Sequence, residues 1–309
     1  MSPRPPGGFS LFLLLTVTAW GFNFVALKVV YLEVGPAALG FTRSLIMMAT
    51  LVPVCWLAKA PLRYERSTAA LILLQGFISM GLYMVAFLEA LRLTGPAEGA
   101  LVLSTCPVLT TLLAMAVRQE AFRWATLLYA LVAFGGVALV IVGGVALRST
   151  SLMGYLLMVL AALTWAVGTV ISKPLVQKHS PYTVLTLSIP GALPVLAAYG
   201  LWDTLQTPWT SLSGLTWLAY GFVALVAGTF GFVGFYVGVR QIGATGAMLY
   251  QYLVPVVAAV AAWLWLGQSL VGVQWLGMAI TLAAVFQATR SRSRELRPSQ
   301  EELAAGPAV

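Results

Sequence analysis

Few side chains in this sequence can do charge or proton chemistry, so each can be weighed. The 309 residues hold 17 Lys and Arg, 9 Asp and Glu, and one His. Arg43 lies deep in an apolar run, so its guanidinium needs a carboxylate or backbone carbonyls; a functional site and a buried structural ion pair are both open readings. Glu89 stands three residues before Arg92, a spacing that permits a pair on one helix face. Glu98 follows Gly95-Pro96 at the start of the next run, where a carboxylate complements a helix N-terminus or meets a ligand. Lys28 closes the first run, placed to snorkel or to take part in gating. These five are the gating or coupling candidates. Aromatic and amide side chains well inside apolar runs are candidate ligand contacts: Trp20, Asn23, Tyr83, Trp165, Tyr250 and Gln251. Packing is the bland alternative for each. Pro107 and Pro255 sit near the centres of two runs, where each removes a backbone hydrogen bond and kinks its helix. Hydrolytic and metal chemistry finds no support. His179 is the only histidine and falls in a loop, so no Ser-His dyad, His-Glu-x-x-His zinc motif or phosphate-binding Gly-x4-Gly-Lys loop exists, and no cofactor is expected.

The elements that must position these residues are membrane helices. Sixty per cent of the chain is hydrophobic and 8% charged, against about one quarter charged in a soluble domain. A bilayer core needs about 20 apolar residues per crossing. Runs of that kind lie near 9–30, 36–58, 69–92, 96–117, 124–145, 153–176, 181–201, 214–240, 246–266 and 270–289. The prediction is an all-α integral membrane protein of ten transmembrane helices. The first run is too long for a signal-peptide core. Thirteen of the seventeen basic residues fall on the side that holds the N-terminus, three on the other, and Arg43 lies within a span. That asymmetry puts both termini in the cytoplasm. Residues 1–8 form a short tail, and the basic segment 290–309 is expected to be disordered beyond arginines resting on headgroups. The net charge of +8 does not indicate nucleic-acid binding, because the cations sit in gaps between spans. Cys55 and Cys106 both fall in apolar runs and imply no disulfide.

The chain is internally duplicated. A shift of 145 residues pairs Trp20 with Trp165, Lys28 with Lys173 and Pro36 with Pro181. A shift of 148 then pairs Phe87 with Phe235, Arg92 with Arg240, Gly95 with Gly243 and Pro107 with Pro255. Two repeats follow, 9–145 and 153–289. Five crossings is an odd number, so the second repeat is inverted relative to the first. Inverted repeats give a scaffold two related openings around a midplane site, the geometry of alternating access.

With these motifs in view, the chain resembles the drug/metabolite transporter superfamily, specifically the EamA family of ten-helix carriers. The likeness rests on Ala19-Trp20-Gly21-Phe22-Asn23-Phe24 with Lys28, on Pro36 with Arg43, on Cys106-Pro107-Val108 and Val254-Pro255-Val256, and on Glu120. Ser44 stands where the family has an aromatic, and Gln268 where the second copy would carry its acid. The resemblance implies a secondary carrier in a bacterial inner membrane, able to act as a monomer, with a small molecule and the bilayer as its partners. Some relatives export amino acids or their derivatives, so neutral or aromatic amino acids are the expected cargo. A multidrug carrier of the same fold is the alternative; a scaffold or an intramembrane enzyme represents a different class.

The charges are unequal between the two halves. Lys28, Glu33, Arg43, Glu89, Arg92 and Glu98 all map to the outer part of the first repeat, and none of the acids recurs in the second. The expectation is that ion pairs involving Arg43 with Glu89 or Glu98 close the outer mouth, while small residues close the inner one.

Overall fold

The computed structural model describes residues 10–62, 64–94, 96–121, 123–144, 151–266 and 270–295. Within them, α1 spans Leu11–Val30, α2 Pro36–Leu57, α3 Arg66–Gly76, α4 Tyr83–Leu93, α5 Pro96–Leu103, α6 Cys106–Ala116 and α7 Trp124–Gly144. Then come α8 Leu152–Lys178, α9 Pro181–Gln206, α10 Gly214–Gly221, α11 Gly231–Leu249, α12 Leu253–Leu266 and α13 Gly272–Glu295. The described residues contain no strand.

Helix starts follow local chemistry. The Ser10 hydroxyl accepts from Leu13 N and Ser213 Oγ from Thr216 N, each relieving an orphan donor of the first turn. Pro36 and Pro181 open α2 and α9, where the missing N–H costs nothing. Large apolar side chains such as Trp56, Leu57, Leu205 and Leu218 point outward. In lipid that exposure is favourable.

Nine helical stretches among the described residues are long and apolar enough to cross a bilayer. The difference from the ten apolar runs is a single stretch, Gly214–Ala261, of 48 residues. A straight helix of that size would extend roughly 70 Å at 1.5 Å per residue. It is not straight: Gly243 has φ 80 and ψ 171, a conformation that only glycine adopts without strain.

Two further irregularities recur. A π-helical segment, Phe77–Leu82, joins α3 to α4, and another, Phe222–Phe230, joins α10 to α11. Both merge smoothly into their neighbours. The fourth apolar run is two short helices with Ser104 and Thr105 between them, and a 3₁₀ turn, Tyr250–Tyr252, precedes α12. Pro107 therefore sits in the first turn of α6 and Pro255 in the first turn of α12, rather than mid-helix. Each proline restarts a helix where its own N–H is not needed.

α1 is packed against α10, α11 and α12, while α3 and α4 lie on α8 and α9. Small residues make these approaches possible. A Cβ at Gly191 would overlap the Leu73 backbone, and one at Gly168 would meet Ser79. The small face of α11 receives α1: Gly231 accommodates Trp20, Gly234 Thr16 and Gly238 Leu13. Ser10 ties the start of α1 to Tyr250 and Gln241 at one end of the bundle. At the opposite end Glu33 receives the Ser213 N–H at 2.8 Å.

Candidate functional site

A cavity of about 740 Å³, open space at its mouth included, lies inside the bundle. α1 contributes Trp20, Asn23 and Phe24, and α4 contributes Tyr83, Met84 and Phe87. Gln251, Val254 and Pro255 come from the 3₁₀ turn and α12. The first and last members of each trio are four residues apart, so each trio lies toward one side of its helical stretch. Arg43 of α2, Trp165 of α8, Phe232 of α11 and Ser104 at the α5–α6 break complete the polar and aromatic lining. Both helix interruptions thus reach the cavity, the setting in which irregular backbone is tolerated within a membrane.

The walls are aromatic. Trp165 lies 5.0 Å from Tyr83 and 5.0 Å from Phe235, and Trp20 meets Trp165 edge-on at 6.0 Å between ring centres. Tyr83 stacks on Phe87 at 5.6 Å. The Trp20 indole is fixed by donating to the Ala227 carbonyl in the second π segment at 2.9 Å. Among these rings stands Arg43, only 4% exposed. Its guanidinium carbon lies 5.9 Å from the centre of the Phe232 ring, and its Nε has no acceptor. Asn23 Oδ1 is also buried without a donor. No carboxylate lines the cavity among the described residues.

The cavity gathers Trp20, Asn23, Arg43, Tyr83, Trp165, Gln251 and Pro255 from the residues singled out in the sequence. Tyr250 is not among its lining; the hydroxyl accepts from Ser10 N at 3.0 Å. Pro107 is buried nearby in α6. Lys28 is exposed, as a snorkelling lysine should be. The side chain of Glu98 lies outside the described residues, as do Gln268 and residues 1–8 and 296–309, while residues 290–295 of the expected tail continue α13. Phe24, Phe87, Phe232 and Ser104 were not anticipated. The spacing of Phe24 and Phe87 to Trp20 and Tyr83 was the available signal.

Outside the cavity, polar side chains cluster toward both ends of the bundle. Toward the end opposite Ser10, Arg92 Nε donates to Glu89 at 2.7 Å and the Tyr199 hydroxyl donates to the other oxygen at 2.6 Å. The i,i+3 pair is present, but of the two carboxylates expected to meet Arg43, Glu89 is occupied by Arg92 and Tyr199, and the side chain of Glu98 lies outside the described residues. Tyr220 donates to Thr42 at 2.5 Å. Glu33 is held below the usual carboxylate range, chiefly by the Ser213 backbone N–H.

Toward the Ser10 end, Gln75 joins three helical stretches. Its Nε2 donates to Tyr236 Oη at 2.7 Å and to Ser79 Oγ at 2.6 Å, and Ser188 Oγ donates to its Oε1 at 2.6 Å. Nearer that end, Lys173 Nζ donates to the Gln119 carbonyl at 2.9 Å and to Glu120 Oε1 at 3.1 Å. Beside the small-residue packing expected at this end, these polar contacts stand as an addition. Arg118, at φ 56, reverses the chain after α6 and so delivers Gln119 and Glu120 to α8. Shifting the sequence could not reveal the pair, because Glu120 and Lys173 are not repeat mates.

A family model described as the EamA-like transporter family matches residues 9–142 and 152–290. An uncharacterised transporter of Archaeoglobus fulgidus is 27% identical, over 90% of this chain and 96% of that protein. A probable amino-acid metabolite efflux pump of Salmonella typhimurium is 28% identical, with 88% and 92% covered. A probable terminal-alkyne amino-acid exporter of Streptantibioticus cattleyicolor is 27% identical, with 92% and 95% covered. One crystal structure superposes with a TM-score of 0.76 over 94% of this chain and 98% of its own, at 21% identity, a likeness of fold. With the apolar spans described above, these matches make the chain a member of the EamA-like transporter family, a multi-pass transporter of the inner membrane rather than an enzyme.

Proposed function

We propose that this transporter is a secondary carrier that exports small organic metabolites by alternating access, neutral and aromatic amino acids foremost. The observation that carries the reading is the cavity: aromatic walls, two amides and a single buried cation, at the points where two helices are interrupted. Aromatic faces suit amphipathic solutes, and several convergent cations would be wanted for phosphates. The relatives named as amino-acid efflux pumps and exporters point to the same cargo.

Ten crossings in two inverted repeats, with both termini cytoplasmic, complete the proposal. Its support is that the irregularities correspond. Shifted by 148 residues, Phe77–Leu82 falls within Phe222–Phe230, and the Ser104-Thr105 break falls on Tyr252-Leu253. Gly243, the partner of Gly95, divides the 48-residue stretch into two crossings. A carrier able to act as a monomer is part of the same proposal.

The test is counterflow of radiolabelled amino acids in liposomes that contain only this protein, with and without a pH gradient. Exchange of aromatic and neutral amino acids is expected. Glu89 is held by Arg92 and Tyr199, so exchange unaffected by the gradient is the expected result. Absence of exchange across the whole panel refutes the cargo class.

A further inference from the structure

Among the described residues, Arg43 is the charged group in the cavity lining, and its electrostatics are incomplete. It is 4% exposed and its Nε has no acceptor. The groups that act on it from neighbouring helices are the phenols of Tyr31, Tyr83 and Tyr220, none of which carries charge at neutral pH. A guanidinium stays protonated under all ordinary conditions. With no counter-charge beside it among the described residues, it is costly to keep in an apolar bundle. The Phe232 ring offers only a weak partial substitute.

We propose that the cavity recognises its cargo by a carboxylate seated on Arg43, and that an α-ammonium group is not required. The proposal rests on the carrier reading given above and narrows it: the class is amphipathic monocarboxylates, of which amino acids are one subset. A carboxylate matches the fork of guanidinium donors and cancels the lone positive charge. An ammonium is repelled by that charge. The open acceptor at Asn23 Oδ1 is neutral, and a hydroxyl or an amide N–H satisfies it as well as an ammonium does. The apolar body of the ligand lies against Trp20, Trp165 and Tyr83.

The test uses three probes that share one ring: phenylalanine, 3-phenyllactate, which replaces the amine by a hydroxyl, and phenylalaninamide, which keeps the amine and lacks the carboxylate. Binding to the purified full chain in detergent is read by thermal shift, because weak acids and amines leak through bilayers unaided. Phenylalanine and phenyllactate are expected within about tenfold of each other, and phenylalaninamide at least about thirtyfold weaker, the scale of losing one desolvated charge pair. Arg43→Gln is expected to reduce the acid-over-amide preference below about threefold, and Arg43→Lys, which keeps a point charge, to retain part of it. Retention in the lysine variant separates loss of charge from loss of folding. Phenyllactate failing where phenylalanine binds overturns the proposal, as does a preference unchanged in Arg43→Gln. Equal binding of amide and acid removes the anion site and leaves the carrier reading standing. No binding by any of the three removes both.

Discussion

Glu33 lies at the surface between α1 and α2, and its carboxylate accepts the N–H of Ser213, the residue that caps α10. One exposed side chain thus joins a loop of the first half to a helix start in the second. That bond holds its carboxyl below the ordinary glutamate range, so the sign of its pH dependence is fixed. The stabilisation is present above the unfolded-state value of about 4.3 and is lost as pH falls through the lower folded-state value. Comparing thermal midpoints of the wild type with Glu33→Gln, the wild-type advantage is expected to be full above the unfolded-state value of about 4.3 and to shrink as the pH falls below it. An advantage that grows on acidification contradicts this. At the same scale, neighbours diverge. Gln251 lines the cavity while Tyr250 anchors Ser10, because a 3₁₀ turn directs successive side chains about 120° apart. Residue type made both visible in the sequence as polar or aromatic groups within an apolar run. Their directions depend on a local winding that composition does not encode.

The helices are defined as much by their interruptions as by their lengths. Both π segments have ordinary apolar composition, since adding a residue to a turn changes which carbonyl each N–H meets and not which side chains are favoured. They were invisible for that reason, whereas the apolar runs, the caps and the prolines were plain. Even the prolines misled in one respect, marking helix starts where mid-helix kinks were expected. Gln75 was overlooked because a single amide in an apolar run has no periodicity; its importance comes from Tyr236 and Ser188, both more than 100 positions away in sequence. Close packing around the first π segment is testable. Gly191→Ala places a methyl group on the Leu73 backbone and is expected to cost at least about 2 kcal/mol, or to prevent accumulation of folded protein. Gly221→Ala meets nothing within 4 Å and is expected to be neutral or to stabilise by up to about 1 kcal/mol. Thermal denaturation in detergent distinguishes the two; equal effects contradict the packing.

For the whole molecule, the cavity lies toward one half of the bundle and a polar network lies in the other. Phe24, Arg43 and Phe87 place the cavity from the midpoint outward, away from Ser10. The Gln75 network and the Lys173–Glu120 pair occupy the other half. Under the proposed topology and alternating access, these contacts are expected to hold the cytoplasmic side shut. With Cys55 and Cys106 replaced, a cysteine at Ala100 should label readily with an impermeant thiol reagent added from outside. Glu120→Gln removes the partner of Lys173 and should shift the population toward the opposite opening, lowering that labelling by about threefold. Labelling that rises or stays constant refutes the role of the pair. The proposed duplication rests on spacing that the sequence displays. The contacts on the Ser10 side could not be read that way, because Glu120 and Lys173 are not repeat mates.

Gly243 also bears on how the protein is made. The stretch Gly214–Ala261 leaves the ribosome as 48 mostly apolar residues with one charged residue among them, Arg240, three positions before the left-handed glycine. An insertion machinery that reads apolar length and positive charge meets both turning cues at the same place. Under the ten-crossing reading, this pair of spans then enters the bilayer as one hairpin. Arg240 holds its tip at the cytoplasmic face, and Gly243 lets the backbone fold there before any tertiary contact has formed.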